Sequence, residues 1–233
     1  MANVDIALIN PHPIETAPFS TEEKLPPLGL AFLAAVLRKN GYEVRIIDNY
    51  LRRDPIDKVV KEVRRLAPSI VGLSCSSLTY LTCIELAKEI KEQLGVPIVA
   101  GGPHATVLPN SLLQHPFVDY VVIGEGEHTL LELVTKLSKG EDVRDVKGIM
   151  YKNNGKQIFT GHRPFIENLD SLPHPSRDLL PMSLYPNRTS FCSRYPVHSI
   201  NSSRGCVFGC RFCSVHSIWG RRFRCFSHLW VLE

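Results

Sequence analysis

Between Val4 and Leu137 the chain alternates short apolar, often β-branched runs with longer segments of helical period, and few folds accommodate that alternation. Val4-Asp5-Ile6-Ala7-Leu8-Ile9 reads as a strand. After an irregular Pro-rich loop, Leu30, Leu33, Ala34 and Leu37 recur at helical spacing within Leu28 to Asn40, and Gly41 follows as the residue that ends such a helix. The rhythm continues as strand Glu43 to Asp48, helix Ile56 to Leu66, strand Ile70 to Ser74, helix Leu81 to Leu94 and strand Pro97 to Ala100. A shorter helical segment near Ser111 precedes strand Asp119 to Ile123 and helix Thr129 to Leu137. Short apolar strands separated by helices of about ten residues or more must run parallel, because each crossover helix covers a sheet face. The expectation for residues 1–140 is an α/β fold, a doubly wound parallel sheet of five strands. Ligands of such sheets bind outside the carboxyl ends of the strands, near the reversal of strand order.

After Gly140 the pattern changes. Gly148-Ile149-Met150-Tyr151 and Gln157-Ile158-Phe159-Thr160 flank Asn153-Asn154-Gly155, a hairpin signal in which Asn-Gly supplies positive φ angles. Pro164, Pro173, Pro175, Pro181 and Pro186 then punctuate a polar stretch, so residues 141–192 read as a β-hairpin and an ordered surface linker. Tyr195 to Ile200 reads as one more strand opening a final unit, residues 193–233.

Composition excludes several classes. With 44% hydrophobic and 21% charged residues the chain is neither disordered nor fibrous. Seven cysteines, an odd number and three of them crowded together, imply reduced thiols in a cytoplasm rather than a disulfide scaffold. Met1-Ala2-Asn3-Val4-Asp5 carries no basic leader, and the longest apolar run, Leu28 to Leu37, is half of the ~20 residues a membrane span requires. The net charge of +4 hides an asymmetry: Leu179 to Glu233 holds seven arginines, no lysine and one acid. Such a tail attracts anions of any kind, but without interleaved lysines or a stacking platform no nucleic-acid partner is expected.

Within that tail, Cys206-Val207-Phe208-Gly209-Cys210-Arg211-Phe212-Cys213 spaces three thiols as C-x3-C-x2-C. One loop with this spacing can wrap an iron–sulfur cluster, and three ligands leave one iron of a cubane open to a small chelating molecule. Nearby arginines lower thiol pKa values and counter the charge of a thiolate-bound cluster. The alternatives are a zinc site completed by Cys225, Cys192 or His216, or three buried unliganded thiols; zinc normally takes paired C-x2-4-C ligands, and the second pair is missing.

Cys206, Cys210 and Cys213, with Phe212 directly before the last, resemble the signature of radical S-adenosylmethionine enzymes. The resemblance implies a [4Fe-4S] cluster whose open iron chelates S-adenosylmethionine, with Phe212 near the adenine, an external one-electron reductant of flavodoxin or ferredoxin type, and a 5′-deoxyadenosyl radical that takes hydrogen from a small-molecule substrate. The α/β region narrows the resemblance to the cobalamin-binding class through Pro26-Pro27-Leu28-Gly29-Leu30, Gly72-Leu73-Ser74-Cys75-Ser76, Gly101-Gly102-Pro103-His104-Ala105-Thr106 and Gly124-Glu125-Gly126-Glu127. It implies a Rossmann- or flavodoxin-like cobalamin-binding domain followed by the start of a β/α barrel.

Physical reading agrees. Ser74 and Ser76 follow the third strand, where hydroxyls can bond the cofactor's nucleotide tail; Gly101 and Gly102 follow the fourth, where a missing Cβ admits a bulky ring; Gly124, Glu125 and Gly126 follow the fifth. Tight strand-to-helix turns would explain most of these glycines equally. Asn10-Pro11-His12-Pro13-Ile14-Glu15 partly matches the Asp-x-His-x-x-Gly of methionine-synthase-type domains, lacking its glycine and its acid, so Asn10 and His12 stand as candidate cofactor contacts beside a solvated loop histidine. His104 is a further candidate near the corrin. The class includes radical C-methylating enzymes and cyclases of tetrapyrrole and hopanoid synthesis, and the residues do not separate them. A complete barrel takes about 250 residues, whereas twenty follow Cys213, so the expectation is a front fragment.

Overall fold

The computed structural model describes residues 4–13, 24–186 and 192–232. Ile14 and Glu15 of the partial histidine motif, and Arg188 and Glu233 of the basic tail, lie outside the described residues. The elements follow in the order β1 (Ile6–Asn10), α1 (Leu28–Lys39), β2 (Val44–Asp48), α2 (Asn49–Arg52), α3 (Ile56–Leu66), β3 (Ile70–Ser74), α4 (Tyr80–Leu94), β4 (Ile98–Gly101), α5 (Pro103–Val107), α6 (Pro109–Leu113), β5 (Tyr120–Val122), α7 (Gly126–Lys139), β6 (Ile149–Asn153), β7 (Lys156–Phe159), β8 (Ser203–Arg204), α8 (Val215–Trp219), β9 (Arg224–Cys225) and α9 (His228–Leu232).

The strand order is β2-β1-β3-β4-β5-β6-β7, with β1 to β5 parallel. Five parallel strands in the order 2-1-3-4-5 are the expected doubly wound sheet, whose order reverses between β1 and β3. The hairpin differs from its expected place in the linker. β6 pairs antiparallel with β5 and β7 with β6, so the sheet has seven strands. Asn154 at φ 50 and Gly155 at φ 76 make the turn the Asn-Gly pair demands.

Side-chain alternation assigns each strand residue to a face. Ile6, Leu8, Ile70, Val99 and Val122 pack with Leu30, Ala34 and Leu37 of α1 and Leu130, Leu133 and Val134 of α7. Ile9, Val71, Leu73, Ile98, Ala100 and Val121 pack with α3 and α4 on the other face, through Val59, Val63, Leu86 and Ile90. Each fully buried Leu, Ile or Phe in these layers stabilises the fold by about 1.5–3 kcal/mol relative to exposure.

The α1 helix is buried on more than its sheet face, and the linker is the reason. Ile166, Leu169 and Leu172 pack with Phe32, Val36 and Phe226, while Leu180 and Tyr185 pack with Ala31 and Leu51. The proline-rich stretch is thus a belt with buried side chains, fastened where the Tyr185 hydroxyl donates to the buried Asp48 carboxylate. Burial and that hydrogen bond raise the Tyr185 pKa well above the ordinary phenol value, keeping the donor protonated. Tyr195 to Ile200 forms no strand; β8 instead pairs with β9 across the cysteine segment.

Candidate functional site

On the α1 and α7 face, Leu8, Gly72 and Val99 are register partners across β1, β3 and β4. Gly72 breaks that row of apolar side chains, and a Cβ there would stand 2.7 Å from Leu8 Cδ2. The Leu8 side chain takes up that space, and beside it a cavity of about 280 Å³ runs from mid-sheet to the carboxyl edge, lined by Leu30, Leu33, Gly72, Ser74, Gly101, Gly102, Gly124, Gly126, Glu127 and Trp219, among others. Its floor at the edge is almost all glycine. At Gly102, φ is +100° and a Cβ would sit 2.9 Å from the Cys75 carbonyl oxygen, so the β4 turn can hug the end of β3 only without a side chain. A second cavity of about 270 Å³, lined by Asn10, Tyr50, Ser74, Ser76 and Thr79 among others, adjoins the first, with Ser74 lining both.

Seven of the residues singled out at strand ends therefore line these cavities: Asn10, Ser74, Ser76, Gly101, Gly102, Gly124 and Gly126. His12, His104 and Glu125 line neither. His104 has both ring nitrogens engaged, Nδ1 with Ser77 Oγ at 3.0 Å and Nε2 with Ser111 Oγ at 2.9 Å, and burial holds its pKa below the ordinary imidazole value. His12 packs beside Tyr50 at 5.9 Å between ring centroids, and burial, then the charge of Arg53, depresses its pKa. Asn10 donates from Nδ2 to Asp48 Oδ1 at 2.8 Å.

Glu125 turns to the cysteine segment. Its Oε1 accepts from Arg204 Nη1 at 2.9 Å and Arg224 Nη1 at 3.0 Å; its Oε2 accepts from Arg224 Nη1 at 2.8 Å and the Ile166 backbone N–H at 2.7 Å. Glu127 Oε1 accepts from Arg204 Nη2 at 2.6 Å. The side chains of Arg204 and Glu125 are 2% and 4% exposed. Burial raises the Glu125 pKa, but the hydrogen bonds from Arg224, Ile166 and Arg204 outweigh it and hold the carboxyl below its ordinary value. Two of the seven tail arginines are thus neutralised inside the protein rather than spread over a basic face.

Arg204 and Arg224 are also the paired residues of β8 and β9, the ribbon that brackets the cysteines. Gly205, at φ +89, leads into Cys206, and a Cβ there would run into the Arg222 carbonyl oxygen. Cys206 and Cys213 are half-buried, Cys210 is exposed, and Phe212 is 93% exposed. The thiols are therefore not buried structural cysteines. Among the described residues no three His, Cys, Asp or Glu are placed to hold a metal ion, so neither a zinc ion nor a cluster has a preformed site. A cubane spreads its thiolates wider than a single ion does, and three thiols in one loop with no carboxylate among them are the donor set an iron–sulfur cluster takes.

Gly72 and Leu30 stand in segments that carry the resemblance, but sequence reasoning assigns neither of them, nor Leu33 or Trp219, to the cofactor site. An isolated glycine in the strand Ile70-Val71-Gly72-Leu73 was the available signal, since a strand glycine often marks a close approach. Trp219-Gly220-Arg221-Arg222-Phe223-Arg224 also resembles the family, but nothing local places Trp219 at the cavity, which it reaches because α8 packs against α5.

Residues 19–134 match the family model of the B12 binding domain. The chain is 39% identical over 212 residues to an uncharacterized methyltransferase of Pyrococcus horikoshii, covering 89% of this chain and 44% of that protein. It is 33% identical over 205 residues to an anaerobic magnesium-protoporphyrin IX monomethyl ester cyclase of Rubrivivax gelatinosus, covering 83% of this chain and 36% of the relative. Its fold superposes on the radical S-adenosylmethionine methyltransferase TsrM from Kitasatospora setae with a TM-score of 0.75 at 21% identity, covering 97% of this chain and 44% of that one. The chain thus spans less than half the length of these relatives. Residues 19–134 thus carry a B12-binding domain, and the chain is similar to the N-terminal region of cobalamin-dependent radical S-adenosylmethionine proteins.

Proposed function

We propose that this chain holds cobalamin in the glycine-floored cavity and a [4Fe-4S] cluster with S-adenosylmethionine at Cys206, Cys210 and Cys213, as the front part of an enzyme that methylates or cyclises a small molecule at an unactivated carbon. The observation that carries the reading is the shared wall of the cavity: strand-end glycines line it, and so does Trp219, from the helix that follows the cysteine loop. This supports a reading in which the cofactor cavity and the cysteine loop are neighbours.

In this reading Gly101, Gly102, Gly124 and Gly126 admit the cofactor to the sheet edge, and Leu8, Leu33 and Val99 give its buried end an apolar surround. Ser74 and Ser76 offer hydroxyls at the rim. Cys206, Cys210 and Cys213 supply thiolates, and Phe212 stands exposed beside the last of them to stack on a purine. The bound groups supply methyl transfer and one-electron chemistry, with electrons from a flavodoxin- or ferredoxin-type reductant; the protein holds the groups close and excludes water. No helix among the described residues is long and apolar enough to cross a membrane.

Anaerobic reconstitution with iron, sulfide and hydroxocobalamin tests this. The expected result is cobalamin absorbance together with four irons per chain, the iron being lost when Cys206, Cys210 and Cys213 become Ala. A second reading, a cobalamin-binding module without a cluster, draws on the exposure of Cys210 and on the lack of a preformed metal-ion site among the described residues. It predicts bound cobalamin without stoichiometric iron.

A further inference from the structure

We infer that the buried cluster of Glu125, Glu127, Arg204 and Arg224 couples the two sites, so that a ligand filling the glycine-floored cavity and a metal cluster on the cysteine loop each tighten the binding of the other. The inference rests on the reading above, in which both groups bind.

A chain of direct contacts runs from one site to the other. Glu127 and Trp219 both line the cavity. Both also touch Arg204: Glu127 Oε1 accepts from its Nη2 at 2.6 Å, and the Trp219 ring lies 5.3 Å from its Cζ. Arg204 is joined to Cys206 through Gly205 alone, and that glycine is wedged against the Arg222 carbonyl, which leaves the backbone little freedom between the guanidinium and the first thiol. A group pressing on Glu127 or Trp219 therefore bears on the position of Cys206. In the other direction, drawing Cys206 toward a cluster pulls on the arginine that fixes Glu127 at the cavity wall.

The cluster is balanced in charge but incompletely satisfied. Two carboxylates face two guanidiniums, while Arg204 Nε, Arg224 Nε and Arg224 Nη2 are buried with no hydrogen-bond partner among the described residues. Buried at low dielectric, each of these charge pairs is strongly directional, so a displacement of one member is felt by its partners. By linkage the two affinities must change by the same factor.

The test measures the dissociation constant of hydroxocobalamin for the full chain, anaerobically, with and without prior reconstitution by iron and sulfide. The wild-type chain is expected to bind hydroxocobalamin about tenfold tighter once the cluster is present. In Glu127→Gln the ratio of the two constants falls toward one. Glu125→Gln lowers the same ratio although Glu125 does not line the cavity, which separates coupling from loss of a direct contact. Circular dichroism reports whether each variant folds, and where one does not, the wild-type ratio still decides. A ratio of one in the wild-type chain, or a tenfold ratio that survives in both folded variants, overturns the coupling and leaves the binding reading intact. A chain that takes up neither hydroxocobalamin nor iron overturns both together.

Discussion

In the sheet, Leu8, Val99 and Val122 are packed beneath the α1 and α7 layer, and the cavity beside them is walled by that apolar core and by the glycines at the strand ends. In the segment from Cys192 to Leu232 the buried residues are chiefly Arg204, Arg224 and Phe226, while Val207, Phe208, Phe212 and Phe223 stand exposed. One region owes its shape to its own apolar core and presents a finished cavity. The other is pinned at its base by charge pairs and leaves its cysteine loop open. A site walled by a packed core is present before its ligand arrives, whereas a loop held only at its ends takes its final shape from what it binds.

Removing the pin should show the largest effect. Glu125→Ala leaves the buried Arg224 guanidinium without a carboxylate and Arg204 with Glu127 alone, which costs about 3–5 kcal/mol. Hydrogen exchange should lose protection in residues 203–226 and around Ile166, while amides of β1, β3 and β4 remain protected. Equal loss across the sheet would break the comparison.

Filling the cavity from its floor sharpens the contrast. A Cβ at Gly101 meets nothing nearer than Val122 Cβ at 3.8 Å, so Gly101→Leu can place its side chain in the cavity with little strain. Hydroxocobalamin affinity should fall about a hundredfold or more, while stability to urea changes by less than about 1 kcal/mol. A comparable loss of stability would mean that the glycine serves the fold alone.

Gly205→Ala comes next, because a positive φ and the Arg222 carbonyl both oppose a side chain there. The strain is about 1–3 kcal/mol and should appear as lost iron uptake on reconstitution with an unchanged far-ultraviolet spectrum.

The smallest effect is a pH dependence on the acid side. His12 and His104 have pKa values held below the ordinary 6.5, so both are neutral in the folded chain at pH 7. The unfolded chain takes up protons first as pH falls below 6.5, and stability declines from there toward the depressed folded values. Glu125, also depressed, contributes in full above its ordinary 4.5 and loses that contribution as pH falls through its folded value. Urea midpoints at pH 7, 6 and 5 should fall in that order, and His104→Ala should flatten part of the first step.

The parallel sheet and its helices were legible because each carries its own period: alternation in Ile6 to Ile9, three-four spacing in Leu30, Ala34 and Leu37. The strand-end glycines and the cysteine spacing were legible for the same local reason. What escaped was set by distance along the chain. Glu125 meets Arg204 across 79 residues and Arg224 across 99, and no pattern in either segment announces the other. Glu125 therefore read as a cofactor contact and the arginines as a basic face. The hairpin was read correctly as a hairpin, but its pairing with β5 depends on an exposed sheet edge that only the assembled fold creates.

The most direct test of the central claim, that the cavity is ready for its ligand before the cysteine loop is filled, is a titration of the iron-free chain with hydroxocobalamin followed by absorbance. The account predicts saturable binding of one equivalent by wild-type protein, weakened about a hundredfold or more in Gly101→Leu and retained when Cys206, Cys210 and Cys213 are all Ala. Binding that requires the three cysteines, or that keeps wild-type affinity in Gly101→Leu, would contradict it.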